Sequence, residues 1–424
     1  MQIWRTNRNL KSDFTWVLVG NTIYFACQWG IVLALAKLGT TGQVGEYALG
    51  MAIAAPIVFF ANLQLRSLIA SDVRDEFSFA QYFHFRVVTL ALAMLAIGAV
   101  TAVMAPGWRR AGIILLVGVV QIWDYVSDFY YAWMQRQERM DRMAASLMMK
   151  GPFSLAALVV AMGMTRSVIW AVAALLAARL LIFFAWDRRK IGAMPVATRW
   201  PQYSIPRLLR TALPLGIISM LASLNVNIPR YFLESSAGSA GLGIFSAIAS
   251  LLSAGNLVVS ALGQSIFLPV ARACASADRG GYRSSVLLAA ASGGALGLCG
   301  VAAAALFGRP ILRILFRPEY AEHSDVFVLL MVAGTVTFIG SGAGWVMTAA
   351  RRLNEQIPLL LATGVADAIA SFILIPRFGL MGAAEALLAA ALVQAAGACV
   401  ILFGIDRHIA AMPAPDQQDI EARV

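Results

Sequence analysis

A single arginine stands inside an otherwise apolar stretch, Thr211 to Glu234, where a helix surrounded by lipid would carry no cation. Arg230 follows Pro229 and a series of polar side chains that suit a water-filled cavity better than hydrocarbon. That series is Ser219, Ser223, Asn225 and Asn227. A guanidinium binds anions, and the amides and hydroxyls form hydrogen bonds. The stretch therefore predicts the wall of a transport pathway, with Arg230, Asn225 and Asn227 as substrate-binding candidates.

Three further cations lie within or at the ends of apolar stretches, namely Lys37, Arg66 and Arg179. An unpaired charge at the bilayer centre costs at least about 2.5 to 3.5 kcal/mol on insertion scales, so such residues usually have a function. All three are candidates for binding an anionic substrate. Lys37 and Arg66 are close enough to predicted helix ends for their heads to reach the interface, so interfacial anchoring is the alternative for both.

Three acidic residues inside apolar stretches are candidates for an ion-coupling site. Asp124 and Asp128 are four residues apart, so a helix places both on one face, within the aromatic run WDYVSDFYYAW. The alternative is that they pair with cations such as Arg179, beside an aromatic belt at the inner interface. Asp367 falls near the middle of its stretch, where a lone carboxylate predicts a proton or sodium site or an ion pair.

The elements that must position these groups are membrane-spanning helices. Of the 424 residues, 60% are hydrophobic and only 13% are charged, which is too little charge to cover a soluble protein of this size. The apolar residues form blocks of roughly 20, each long enough to cross about 30 Å of hydrocarbon as a helix. The predicted spans of the first half are Phe14–Leu38, Gln43–Ile69, Phe85–Ala105, Ala111–Trp133, Leu147–Met164 and Ser167–Trp186. Those of the second half are Thr211–Phe232, Leu242–Leu268, Ser284–Phe307, Val326–Thr348, Ile357–Pro376 and Met381–Gly404.

These twelve blocks predict an all-α polytopic membrane protein with two six-helix lobes. The domains are 1–186, a basic cytoplasmic connector at 187–210, 211–404, and a cytoplasmic tail at 405–424. With both termini inside, the connections place 23 Lys and Arg residues in the cytoplasm and 9 outside, which favours this orientation. The connector also carries Trp200 and Tyr203, a composition suited to an anionic inner leaflet, although a simple positive-inside anchor explains its charge equally.

An internal repeat supports the division into lobes. The first span ends in LAKLG before VGEYALG, and the seventh ends in IPRYF before LGIFSAIASLL. Each half thus has a cation at the outer end of its first helix and a Gly-x-aromatic sequence opening its second. Because six spans return the chain to the same side, the halves are predicted to be parallel repeats.

No catalytic or metal-binding pattern accompanies these helices. The four cysteines and three histidines are scattered singly, without the spacing of a zinc site or a redox pair. We expect no cofactor, no metal and no enzymatic activity. The net charge of +11 needs no nucleic-acid partner, because topology accounts for most of the basic residues.

Four segments resemble the polysaccharide flippases of the multidrug, oligosaccharidyl-lipid and polysaccharide exporter superfamily. They are VGEYALGMAIAAPIVFFANLQLR with Asp72 following, LPLGIISMLASLNVNIPRYFLE with LGIFSAIASLL, FRPEYAEHSDVFVLLMVAG and IPRFGLMGAAEALLAA. The resemblance implies two six-helix lobes around a central cavity. It also implies that the protein moves an undecaprenyl-diphosphate-linked oligosaccharide across the bacterial inner membrane by alternating access. Its expected partners are that substrate, membrane lipids, H+ or Na+ as coupling ion, and other polysaccharide assembly proteins.

Two other functions compete with this interpretation. A multidrug exporter of the same superfamily would favour acidic groups in its cavity, whereas cations and acids are about equally frequent in these spans. A membrane glycan polymerase or ligase would need a sizeable outer loop, but the longest predicted outer connection, Gly308 to Asp325, is short. A scaffold without transport would leave the intramembrane cations unexplained.

Topology is directly testable with single cysteines in a background lacking the natural four. Cysteines at Ser236 and Ser324 are expected to react with a membrane-impermeant thiol reagent added to intact cells, and one at Ser204 to react only after permeabilisation. Reaction of the Ser204 variant in intact cells would reverse the predicted orientation.

Overall fold

The protein is all-helical in a computed structural model, which describes residues 10–71, 77–104, 107–190 and 205–411. No strand lies in those ranges. The first helices are α1 (Leu10–Leu38), α2 (Thr41–Asn62), α3 (Leu65–Ser71), α4 (Phe79–Met104), α5 (Trp108–Arg136), α6 (Met140–Thr165) and α7 (Val168–Ile182), which continues as a π-helix (Phe183–Asp187) and α8 (Arg188–Lys190). The later helices are α9 (Ile205–Ala249), α10 (Leu251–Ala275), α11 (Arg279–Leu315), α12 (Pro318–Ala321), α13 (Ser324–Ala349), α14 (Leu353–Phe378) and α15 (Leu380–Ala411).

Eleven stretches of the described chain are long and apolar enough to cross a membrane. One of them, Ala212–Ala275, has 64 residues, about three times what a single crossing needs. It bends at Gly238, whose φ of 67° and ψ of −176° interrupt the helix. A positive φ is readily available to glycine, and the bend separates the predicted seventh and eighth spans. The predicted fold class, a polytopic helical membrane protein, is confirmed.

One predicted span is wrong in detail. The sequence predicts a single helix over Gln43–Ile69, but the structure ends α2 at Asn62 and starts α3 at Leu65. Leu63 and Gln64 both have left-handed backbones, with φ of 50° and 48°. Neither residue type favours that conformation, so tertiary contacts must stabilise it. Asn62, Gln64 and Arg66 are polar, but they alternate with leucines, so the segment as a whole stays apolar enough to be taken as one span.

The chain divides into two compact units, Met1–Met220 and Leu221–Val424, and the division falls within α9. The first unit has an aromatic core that includes Phe129, Tyr130 and Tyr131, all nearly fully buried. The sequence alternative of an aromatic belt at the inner interface is therefore wrong for these three residues. They fill the interior of the unit instead, where aromatic rings bury the largest apolar areas.

The second unit is stabilised by close helix packing and by ion pairs between α11 and α15. A Cβ atom on Gly297 of α11 would lie 2.5 Å from the Cα of Thr335 on α13, so only glycine permits this approach. At one end of the unit, Asp406 of α15 accepts hydrogen bonds from both Arg279 (2.7 Å) and Arg283 (2.8 Å) of α11. Between α11 and α13, Tyr320 is buried on α12, and burial raises the pKa of its phenol.

Two cations in the predicted cytoplasmic count are not in connections. Arg86 lies within α4 and Lys150 within α6, and both are almost fully buried. Without Arg86 and Lys150, the count is 21 Lys and Arg residues in the cytoplasm against 9 outside, so the charge distribution still predicts the same orientation.

Several predicted features lie outside the described residues. They are Arg5 and Arg8, Asp72 and Arg74, the connector from 191 to 204 with Trp200, Tyr203 and Ser204, and the tail beyond Ala411.

Candidate functional site

Asp124 of α5 binds two buried cations from two other helices. One carboxylate oxygen bonds Arg179 Nη1 of α7, and the other lies 3.0 Å from Lys150 Nζ of α6. The side chains of Arg179 and Lys150 are only 3% and 2% exposed, whereas that of Asp124 is 25% exposed. Arg179 Nη2 also donates to Gln28 Oε1 of α1 at 3.1 Å. Four helices of the first unit therefore meet at this carboxylate.

A second ion pair lies one helical turn further along α5. Arg66 Nη1 of α3 is 3.1 Å from Asp128 Oδ1, and Arg66 Nε donates to Gln135 Oε1 at 3.2 Å. Both charged side chains are partly exposed. The helical spacing thus correctly predicts that Asp124 and Asp128 share a face. In the structure both are ion-paired, which was the alternative to an ion-coupling site.

Three charged residues of the first unit are buried although the sequence analysis placed their charge on the cytoplasmic side. Arg86 and Lys150 lie within the predicted spans Phe85–Ala105 and Leu147–Met164 but were counted among the cytoplasmic cations, and Asp187 was placed at the start of the connector. Arg86 Nη1 donates to Asn62 Oδ1 at 2.8 Å and to the Asn62 carbonyl at 3.3 Å, at the last turn of α2. A usable signal was the apolar sequence on both sides of Lys150, in MMKGPFSLAALVV, which is atypical of a solvated loop.

In the second unit, Arg230 is held by its own helix. Its Nη1 donates to Asn227 Oδ1 at 2.8 Å, and Asn227 Nδ2 donates to the Ser223 carbonyl at 2.8 Å. These three residues are spaced four and three apart, so they share one face of α9. The buried Arg230 Nε has no hydrogen-bond partner in the described part of the chain. The guanidinium is thus oriented by one amide and retains donors for a further acceptor.

The predicted polar series on α9 does not act as one group. Asn225 faces α14 instead, where its Nδ2 donates to the Leu360 carbonyl at 3.0 Å and its Oδ1 lies over Gly364. Ser219 accepts a hydrogen bond from Gln64 Nε2 at 2.9 Å, within the first unit. Only Ser223 and Asn227 remain with Arg230.

Asp367 lies on the face of α14 that Asn225 contacts. Leu360, Gly364, Asp367 and Ser371 are spaced four, three and four residues apart, which is the period of one helical face. Asp367 is fully buried; its Oδ1 accepts from Ser371 Oγ at 3.2 Å, and its Oδ2 has no partner among the described residues. Asn225 Oδ1 is likewise buried and unpartnered there. This region therefore contains two oxygen acceptors whose capacity is not filled by the described residues.

Lys37, the last predicted substrate contact, is exposed in the last turn of α1. Its exposure is compatible with both interfacial anchoring and a role at a cavity mouth.

Comparison with known proteins finds one similar sequence and several similar structures. The chain is 25% identical over 379 residues to the capsular polysaccharide biosynthesis protein CapF of Staphylococcus aureus, covering 88% of this chain and 94% of CapF. An inward-facing multidrug resistance MATE family transporter of the MOP superfamily superposes with a TM-score of 0.75 at 12% identity, over 93% of this chain and 98% of that one. The lipid II flippase MurJ, in an inward closed conformation, gives 0.68 at 10% identity, over 96% and 95%.

The chain is thus similar in sequence to a capsular polysaccharide biosynthesis protein, and it shares the fold of these transporters. This confirms the predicted resemblance to the polysaccharide exporters of that superfamily. No family model matches the sequence. The structural likeness, at such low identity, establishes the fold and its two lobes, and leaves the substrate to be argued from the residues.

The two ion pairs on α5 predict different costs when their carboxylates are removed. Asp124→Ala leaves Arg179 buried without an anion and removes the carboxylate that Lys150 binds, and we expect a loss of stability of about 3 to 5 kcal/mol. Asp128→Ala leaves Arg66 partly exposed with Gln135 still bound, so about 1 kcal/mol or less is expected. Thermal unfolding of the two purified variants in one detergent measures the difference. Equal melting temperatures would mean that Asp124 does not organise the buried cluster.

Proposed function

We propose that the protein is a flippase that moves an undecaprenyl-diphosphate-linked oligosaccharide from the inner to the outer leaflet of the bacterial inner membrane. The observation that supports this most strongly is homology to a capsular polysaccharide biosynthesis protein across nearly the whole of a transporter fold. In this proposal both termini are cytoplasmic and the lobes alternate access to a central cavity. Other polysaccharide assembly proteins would supply and receive the glycan.

Arg230 is the residue we assign to the diphosphate. A guanidinium presents donors in a planar fork that fits phosphate oxygens, and charge-assisted bonds of this kind are about twice as strong as neutral ones. In Arg230 one nitrogen is used by Asn227, and Nε has no partner within the described ranges. The hydrogen bond that Arg230 donates to Asn227 fixes the orientation of the fork, so little conformational freedom remains to be lost when an anion binds.

The other predicted cations take different parts in the proposal. Arg179 and Arg66 already bind carboxylates, so we assign them to holding the first lobe together rather than to the substrate. Lys37 is exposed and uncommitted to any carboxylate among the described residues, and it is proposed as a weaker anion contact. Asn227 supports Arg230, and Asn225 belongs with Asp367.

Asp367 and Asn225 are proposed to bind the coupling ion, a proton or Na+. Both offer oxygen acceptors, the ligand type that sodium prefers, and the carboxylate can alternatively take a proton. A buried carboxylate with an unfilled oxygen is costly unless it is protonated or binds a cation. The ion-paired Asp124 and Asp128 fit this role less well, because their charge is already balanced.

Transport without chemistry distinguishes this proposal from a glycan polymerase or ligase. The multidrug exporter remains the second candidate, since a MATE transporter shares the fold at a TM-score of 0.75. The relationship in sequence to CapF favours the glycan substrate over drugs.

Arg230 provides the test in a strain whose own copy of the gene is deleted. The deletion is expected to accumulate a lipid-linked oligosaccharide, and the wild-type gene to clear it. Arg230→Ala is expected to lose about 10- to 100-fold in transport rate, because two charge-assisted bonds to phosphate disappear. Arg230→Lys should keep part of the transport activity. Lys37→Ala should lose less transport activity than either Arg230→Ala or Arg230→Lys. Accumulated lipid-linked glycan and membrane abundance are measured together.

Arg377→Ala is the matched control, an exposed cation in the last turn of α14 in the same lobe. It is expected to transport normally. Normal transport by Arg230→Ala at normal abundance would contradict the substrate role. A fall in abundance parallel to the fall in transport would make Arg230 a structural residue.

A further inference from the structure

Asp187 is a buried acid that the proposed transport mechanism does not use. It is the last residue of the π-helix Phe183–Asp187, and its side chain is completely buried. Neither carboxylate oxygen makes a hydrogen bond of normal geometry with a described residue, although the hydroxyls of Ser127 and Ser146 lie near enough to interact with it. π-helical turns often occur at functional sites, because the extra residue redirects the side chains that follow. Here Asp187 is inside the lobe, while Arg188 is exposed.

The surroundings of Asp187 are hydroxyls rather than an ion pair. Ser127 of α5 and Ser146 of α6 are its polar neighbours, and both are fully buried. Ser146 Oγ is engaged with Tyr131 OH at 2.8 Å, whereas Ser127 Oγ has no partner in the described chain. The titratable or charged groups that face Asp187 from the elements packed on it are Tyr130 and Tyr131 of α5, Lys150 of α6 and Arg188 of α8.

Lys150 is the cation that would be expected to neutralise Asp187, but it is bound elsewhere. Its Nζ lies 3.0 Å from Asp124, although Asp124 already has Arg179 as a partner. No salt bridge within 4.0 Å joins Lys150 to Asp187. An ionised carboxylate buried in this way would lack the pairing that buried charges require. A protonated carboxyl group is neutral and can donate its hydrogen to the unpartnered Ser127 hydroxyl.

We propose that Asp187 is a proton-binding site of the first lobe and that Lys150 responds to its charge. When the proton leaves for water, the carboxylate attracts Lys150 away from Asp124, and Asp124 keeps Arg179. No other bond is made or broken. Lys150 of α6 therefore pairs with Asp124 of α5 when Asp187 is protonated, and with Asp187 of the π-helix when it is not. This equilibrium is separate from the assigned roles of Arg230 and Asp367 in the second unit, and it does not depend on which substrate is carried.

Infrared spectroscopy of the purified full-length protein tests the site, because a protonated carboxyl group absorbs apart from a carboxylate. Spectra are recorded from about pH 5 to about pH 9, a range in which exposed carboxylates are already ionised. Asp187→Asn is expected to remove a protonated-carboxyl component that the wild type shows at the acid end of this range and loses as the pH rises. Asp128→Asn is the matched control, because Asp128 is ion-paired with Arg66 and its loss should leave that component intact. Any contribution from Asp367 is the same in all these proteins.

Two further measurements make the result decisive. In Lys150→Met the component should persist to higher pH, by about one unit or more, because the cation that favours the carboxylate is gone. Sodium chloride added at constant pH should leave the component unchanged. If Asp187→Asn fails to accumulate, Ser127→Ala replaces it, and the component should change frequency because the acid loses its acceptor.

An Asp187→Asn spectrum identical to that of the wild type at the acid end of the range would overturn the proposal. So would loss of the component on adding sodium, which would make Asp187 a metal-cation site. An unshifted component in Ser127→Ala, or an unchanged titration in Lys150→Met, would equally contradict the arrangement.

Discussion

The pairing of Asp124 with two buried cations is the interaction on which the first lobe depends. A charge inside a membrane protein must be matched by an opposite charge or by hydrogen bonds, because neither lipid nor apolar side chains can solvate it. Asp124 matches Lys150 of α6 and Arg179 of α7, and Arg179 reaches Gln28 of α1. Removing that one carboxylate would take the bound anion from two buried cations on two helices.

The same requirement separates structural charges from functional ones. Arg66, Arg179 and Lys150 are matched within the first unit, so their charges are used in folding. Arg230 and Asp367 are only partly matched within the second unit, where one amide holds the guanidinium and one hydroxyl donates to the carboxylate. Groups with unfilled donors or acceptors at buried positions are suited to bind something from outside the protein. The proposed anion and ion sites follow from this distinction, and so does the proton site at Asp187.

The sequence predicted the fold well because hydropathy is a property of whole segments. Blocks of about 20 apolar residues located the spans, but the break at Leu63 and Gln64 was missed, because the polar residues there are too few to divide an apolar segment. The candidate site was harder to predict. Helical spacing placed Asp124 and Asp128 on one face, but the apolar sequence around Lys150 indicated only its burial and not that it would lie beside Asp124. Asn225 and Asn227, two residues apart, turned out to face different partners, which depends on how α14 packs against α9.

Arg230 shows what the sequence alone can recover at a functional site. A cation in an apolar stretch is visible without any structure, because its cost in lipid is independent of its neighbours. Its orientation by Asn227 required the helix, and its partly unfilled donors required the surrounding packing. Asp187 was missed for the opposite reason, since it adjoins the cations Arg188 to Lys190 and its burial becomes visible only through the π-helical turn.

Relocation of the intact lipid-linked oligosaccharide between leaflets measures the proposed transport most directly. The purified protein is placed in liposomes that carry a lipid-linked oligosaccharide labelled on its sugar, and the fraction accessible to a membrane-impermeant glycan-modifying reagent is followed over time. If the protein is a flippase, the inaccessible pool decreases faster than in protein-free liposomes, and Arg230→Ala slows that decrease. The mass of the recovered lipid-linked glycan is unchanged. An unchanged inaccessible pool, or a glycan that is longer or cleaved, would contradict the proposed transport.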